Sequence, residues 1–192
     1  MRYDPWKHHR RSIRLAGYDY VQIGAYFVTI DSFRREYLFG DVVGNKMMLN
    51  SAGRIVEMCW YDIPFHFPDV TLDASIVMPN HIHGIVWIVG DGRGAAFGGG
   101  TAFGRGTACR APTVERFGRP VPNSLPTVIR SFKSAATKQI NQQRGARGLP
   151  VWQRNYYEHI VRNEIELTRI RNYIATNPLH WELDREEPHH KG

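Results

Sequence analysis

Residues 70–89, VTLDASIVMPNHIHGIVWIV, decide the fold. Two runs rich in β-branched and apolar residues, 70–78 and 81–89, flank Pro79-Asn80. Proline fixes its own φ and lacks a backbone donor, and asparagine favours turn geometry, so the pair predicts a tight turn between two antiparallel strands. The second run is apolar on both faces, which suits a central strand covered from both sides. Its strongly polar members are His81 and His83.

Outward from this hairpin, the chain alternates strand and helix signals. Residues 25–31 (AYFVTID) read as a first strand. In residues 50–63, Ile55, Val56, Cys59, Trp60 and Ile63 recur at helical spacing, with Asn50 or Ser51 as a cap and Pro64 as the stop. Residues 125–143 form an amphipathic helix with Val128, Ile129, Phe132, Ala135, Ala136 and Ile140 on one face and Arg130, Lys133 and Lys138 on the other. Residues 151–161 read as a strand. Asn163 then caps a last helix whose buried stripe is Leu167, Ile170 and Ile174 and which Pro178 is expected to stop. The order strand, helix, strand, strand, helix, strand, helix predicts an α+β class with a ferredoxin-like antiparallel sheet and helices packed on it.

With 192 residues, 42% of them hydrophobic and 22% charged, the chain fits one domain with one core. Residues 90–106 carry eight glycines, and Ala-Phe-Gly recurs at 96–98 and 102–104. We read 90–124 as a flexible insertion, because its glycines match neither a dinucleotide fingerprint nor a phosphate-cradling loop. Cys59 and Cys109 stand too far apart in sequence for a zinc knuckle or redox pair. No run of apolar residues is long enough for a membrane span or a secretory signal, so a cytoplasmic location away from membranes is expected.

The net charge is +7, and it is unevenly placed. Arg2, Lys7, Arg10, Arg11 and Arg14 face a single acid, Asp4, in the first fourteen residues, and Arg130, Lys133, Lys138, Arg144 and Arg147 face none in 123–150. Such segments suit a polyanion, with nucleic acid ahead of an anionic membrane.

Side chains two apart on a strand share a face, so His81 and His83 project together and can ligate one metal ion. A pair of core histidines satisfied by hydrogen bonds is the plainer reading, against which stands the cost of burying two imidazoles side by side. On the last helix Tyr173 and Asn177, four apart, share a face offset from the buried stripe. Asn177 offers an amide oxygen to a hard cation, and Tyr173 a phenol able to attack phosphorus. Spacing alone favours Tyr173 as a boundary aromatic that packs its ring and wets its hydroxyl, and allows Asn177 as a helix-end residue before Pro178.

The block 77–85 (VMPNHIHGI), Trp152-Gln153-Arg154, Tyr157-Glu158-His159, Asn172-Tyr173-Ile174 and Asn177-Pro178 closely resemble the REP-associated tyrosine transposases, of the single-tyrosine HUH endonucleases. Ser12-Ile13-Arg14-Leu15 and Gly17-Tyr18-Asp19-Tyr20 extend the likeness, leaving only the glycine-rich insertion outside it. The resemblance implies His81 and His83 as metal ligands, Asn177 as a third ligand where relatives can carry glutamine, and Tyr173 as nucleophile. It implies a Mg2+ or Mn2+ ion and a hairpin-containing single-stranded DNA substrate. Nicking and strand transfer would pass through a 5′-phosphotyrosine, in a monomer or a homodimer. Tyr156 and Tyr157 fall outside the tyrosine motif and are assigned structural or DNA-contacting roles, as Glu158 and His159 are assigned to stabilising the site or fold. Arg10, Arg11, Arg14, Arg130, Lys133, Lys138 and Arg154 are expected to contact DNA. The alternatives are a non-catalytic single-strand-binding module of the same fold and, more distantly, a zinc hydrolase of small molecules.

Overall fold

The computed structural model describes residues 22–89 and 121–186. The basic start with Arg10, Arg11 and Arg14, most of the glycine-rich insertion and Cys109 lie outside the described residues. In chain order the elements are β1 (Gly24–Asp31), β2 (Gly40–Val43), β3 (Lys46–Leu49), α1 (Ser51–Tyr61), α2 (Ile63–His66), β4 (Val70–Met78), β5 (His81–Ile88), α3 (Leu125–Gln143), β6 (Tyr157–Val161) and α4 (Glu164–Glu186).

Four strands form one sheet in the order β4-β5-β1-β6, and every neighbouring pair is antiparallel. This is the ferredoxin-like arrangement that the element order predicts. Because β5 is central, its even and odd residues face different layers. Ile82, Val86 and Ile88 join Tyr26, Val28 and Ile30 of β1 in a core shared with Val56 and Trp60 of α1 and Ile129, Phe132 and Ile140 of α3. On the other face Ile85, Ala25 and Phe27 pack with Leu167 and Ile174 of α4. His81 and His83 belong to this second face, under α4.

Gly84 between these layers has a steric reason. A Cβ there would lie 2.2 Å from Cζ2 of Trp60, a ring that is itself fully buried, so only glycine lets α1 approach β5 this closely.

Four expectations need correction. The hairpin β2–β3 is additional, turned by Gly44 and Asn45 with φ of 56° and 61°. The helix over 50–63 ends at Tyr61, and Pro64 sits in the first turn of a separate helix, α2, where its missing N–H costs nothing. The strand expected over 151–161 is confined to Tyr157–Val161, with one isolated bridge from Trp152 to Ser32. The Lys133 ammonium donates to the carbonyls of Gln153, Arg154 and Asn155 at 2.6, 3.2 and 3.5 Å, so these groups are committed away from a ladder. Finally, α4 runs through Pro178 to Glu186. Trp181, one turn beyond the proline, packs on Tyr37 and on His81 with ring centroids 5.4 and 5.7 Å apart, which anchors the extension.

Candidate metal and nucleophile site

The β4–β5 turn delivers the histidines. Asp31 and Thr29 of β1 stand opposite His81 and His83, and Met78 and Ile76 of β4 flank them on the other side. Both imidazoles are buried. Their Nε2 atoms face each other at 2.9 Å.

The outer hydrogen bonds fix how these nitrogens are presented. Asn80 donates through Nδ2 to the Arg35 carbonyl at 3.2 Å, which leaves its Oδ1 to accept from Nδ1–H of His81 at 2.7 Å. His81 therefore carries its proton on Nδ1 and a lone pair on Nε2. Nδ1 of His83 pairs with Oγ1 of Thr29 at 2.8 Å, where the hydroxyl can accept in the same sense. With both protons on Nδ1, the two Nε2 lone pairs face each other at 2.9 Å and repel unless a cation joins them; with the His83 proton on Nε2, the same contact is a hydrogen bond. Two nitrogens bound to one ion at about 2.1 Å and a right angle lie about 3 Å apart, so the pair fits a metal ion.

Electrostatics keep both rings neutral. Burial lowers the pKa of His81 to about 4, with the Arg35 charge adding to the effect and the Asn177 side chain, which can accept from the protonated ring, opposing it. Burial, the neighbouring His81 and Arg35 bring His83 to about 3. Neutral imidazoles are the form that binds metal. Phe27 stacks on His83 with centroids 5.5 Å apart, closing one side of the pair.

Helix α4 brings the other two predicted groups. Asn177 is buried, and its side chain acts on the ionisation of His81. The Tyr173 hydroxyl lies 3.3 Å from Nε2 of His83, while the residue stays 46% exposed. Thus His81, His83, Asn177 and Tyr173 converge. Among the described residues no three His, Cys, Asp or Glu side chains gather as a metal-binding group.

The start of α4 is held independently. Asn163 Oδ1 accepts from the Glu166 N–H at 2.9 Å, and the Glu166 carboxylate accepts from the Arg162 N–H and pairs with His159 Nε2, both at 2.7 Å. His159 thereby serves the helix cap. Buried Cys59 has its thiol pKa raised by burial and by Asp62, which makes it inert.

The basic residues divide. Lys133, Lys138 and Arg154 line an open groove of about 520 Å³ with Trp152, on the α3 side of the sheet. Burial brings Lys133 down to about 8, and its ammonium is spent on the three carbonyls named above. Arg130 is exposed on α3 and does not line this groove. Sequence reasoning missed Arg35. Its guanidinium acts on both histidines and lies 3.3 Å from Asp31, a position reached because Arg34 and Arg35 both adopt left-handed φ near 56°. No residue-type pattern announces such a turn.

No family model matches the chain. An uncharacterised protein of Haemophilus influenzae is 38% identical over 184 residues, covering 96% of each chain. Among solved structures, a REP-associated tyrosine transposase bound to a REP hairpin superposes with a TM-score of 0.52 at 16% identity, over 91% of this chain and 73% of that one. Among the described residues no helix is long and apolar enough to cross a membrane.

Proposed function

Because this chain belongs to one family with the Haemophilus influenzae protein and has the fold of a REP-associated tyrosine transposase, we propose that it is a metal-dependent enzyme that nicks and rejoins single-stranded DNA through Tyr173. The observation that carries the reading is the 3.3 Å approach of the Tyr173 hydroxyl to Nε2 of His83, which in turn faces His81 at 2.9 Å.

His81, His83 and the Asn177 amide would hold Mg2+ or Mn2+. Such an ion, when bound, polarises the scissile phosphate and aligns it for in-line displacement. The Tyr173 oxygen forms a bond to phosphorus, the bond from phosphorus to the 3′-oxygen breaks, and the phenol proton is passed on to that leaving oxygen. The products are a 5′-phosphotyrosine and a free 3′-hydroxyl. One ester replaces another, so a second 3′-hydroxyl can reverse the step onto a new end. A free phenol is only about 0.1% ionised at pH 7, so the site must lower the cost of removing its proton. The half-exposed ring leaves room for an incoming strand, and the Arg35 guanidinium beside the histidines can meet a phosphate oxygen. Hairpin-containing DNA is the proposed substrate, on the strength of the REP hairpin in the transposase complex.

The test is a denaturing gel after incubation with hairpin single-stranded DNA and Mn2+. A covalent adduct lost in Tyr173→Phe is expected; its persistence in that variant removes Tyr173 as nucleophile. A binding module without cleavage is the second reading, favoured by the basic groove lying away from the histidines. It predicts retention of DNA without any adduct.

A further inference from the structure

Two tyrosines outside the reaction scheme border the site. Tyr157 is 54% exposed and Tyr37 is 55% exposed, so each leaves a large part of its ring open to solvent. Each ring is also tied to one of the histidines through one intervening aromatic. Tyr157 meets Phe27 edge-on at 6.3 Å, and Phe27 stacks on His83 at 5.5 Å. Tyr37 leans on Trp181 at 5.4 Å, and Trp181 leans on His81 at 5.7 Å.

The register locates them on different flanks. Tyr157 pairs with Thr29, which pairs with His83, so Tyr157 lies two strands from that histidine on the same face, about 10 Å at the usual strand spacing. Tyr37 belongs to the segment after β1 and reaches the site past the far end of α4, beyond His81. Tyr173 approaches between them, at His83. Exposed rings of this kind have a natural ligand when the neighbouring chemistry handles a single strand, since every base has a π-face and stacking on an aromatic tolerates any sequence. Exposure alone does not give this placement: among the described residues Phe65 of α2 is 84% exposed yet makes no ring contact with the site.

We propose that Tyr157 and Tyr37 are stacking platforms for the unpaired bases on either side of the phosphate held at His81 and His83. The proposal rests on the reading of the site as one that handles single-stranded DNA. It assigns two base-binding subsites and explains why both rings stay exposed while supported from beneath.

The experiment uses the full chain carrying Tyr173→Phe, which binds without forming an adduct, and a short oligothymidylate substituted with 5-iodouracil. Irradiation followed by peptide mass spectrometry is expected to place crosslinks on Tyr157 and Tyr37. In the same background Tyr157→Ala and Tyr37→Ala should each weaken oligothymidylate binding about five- to hundredfold, and Tyr→Phe at either position should stay within about twofold. Tyr157→Leu and Tyr37→Leu, which keep apolar bulk without a π-face, should behave as the alanine variants. Crosslinks confined to other residues, such as those of the α3 groove, or alanine variants that bind like the parent, overturn the proposal. A Tyr173 adduct in the wild-type chain without these crosslinks removes the platforms and leaves the nicking reading. Crosslinks without any adduct do the reverse.

Discussion

Arg171 grips Asp73 with a two-pronged contact, Nε to Oδ1 at 2.9 Å and an Nη to Oδ2 at 2.6 Å, two residues ahead of Tyr173. Asp73 sits where the β4–β5 register shifts, and this bulge turns its carboxylate toward α4. The Trp87 indole and the Ala74 N–H also donate to it, and the Arg171 hydrogen bonds lead the effects that hold its pKa below the ordinary value. The pair thus fastens the tyrosine helix to the sheet of its own chain.

Asp73→Asn should accordingly lower Tyr173 adduct formation more than DNA binding. The carboxylate is mostly buried but the guanidinium is not, so the expected loss is about 1–2 kcal/mol, near tenfold in rate. Single-turnover rates beside binding curves decide this. Equal losses in both would mean that the contact serves the fold and not the placement of the phenol.

Thr29 should tune metal affinity without touching the ion. Thr29→Val keeps the shape and removes the hydroxyl that meets Nδ1 of His83. Loss of such an outer partner typically costs about 10–100-fold in affinity, which Thr29→Ser should restore. Titration calorimetry with Mn2+ reads the change, and unchanged binding in Thr29→Val would show that His83 needs no such orientation.

The metal-free protein should lose stability in mild acid. Unfolded histidine takes up a proton near pH 6.5, whereas folded His81 and His83 resist until about 4 and 3. The unfolded chain therefore binds more protons throughout this interval, and stability falls as pH drops below about 6.5, levelling only beneath the folded values. Urea midpoints in chelator should decline between neutral pH and about pH 5, and His83→Asn should flatten part of that decline. An identical slope in the variant would contradict the assignment.

Gly84→Ala should destabilise the fold while leaving the histidines in sequence untouched. The added methyl meets the buried Trp60 ring, and overpacking of this kind costs about 1–3 kcal/mol. A lowered urea midpoint at unchanged slope is expected; parent-like stability would mean that Trp60 can step aside.

Much of this architecture was legible because periodicity and turn chemistry agreed. The 70–89 hairpin, β1 and α3 all combine a clear period with sharp boundaries. The β2–β3 hairpin escaped because its strands are only four residues long, although Gly44-Asn45 carried a turn signal. Residues 151–156 resemble a strand in composition, but their pairing is decided by Lys133, a contact from a distant helix. Pro178 carries a local stop signal that the packing of Trp181 on His81 and Tyr37 outweighs. At the site, His81, His83, Tyr173 and Asn177 were found by spacing and by motif resemblance, and the folded chain brings them together. Arg35, Thr29 and Tyr37 were not, since their placement depends on cross-strand register and a left-handed turn that no local pattern encodes.

The most direct test of the central claim is peptide mass spectrometry on the protein recovered from Mn2+ and a hairpin-bearing single-stranded oligonucleotide. The account predicts a nucleotide adduct on Tyr173, dependent on His81 and His83. Nicked DNA with an unmodified Tyr173, or an adduct on Tyr157 in its place, would contradict it.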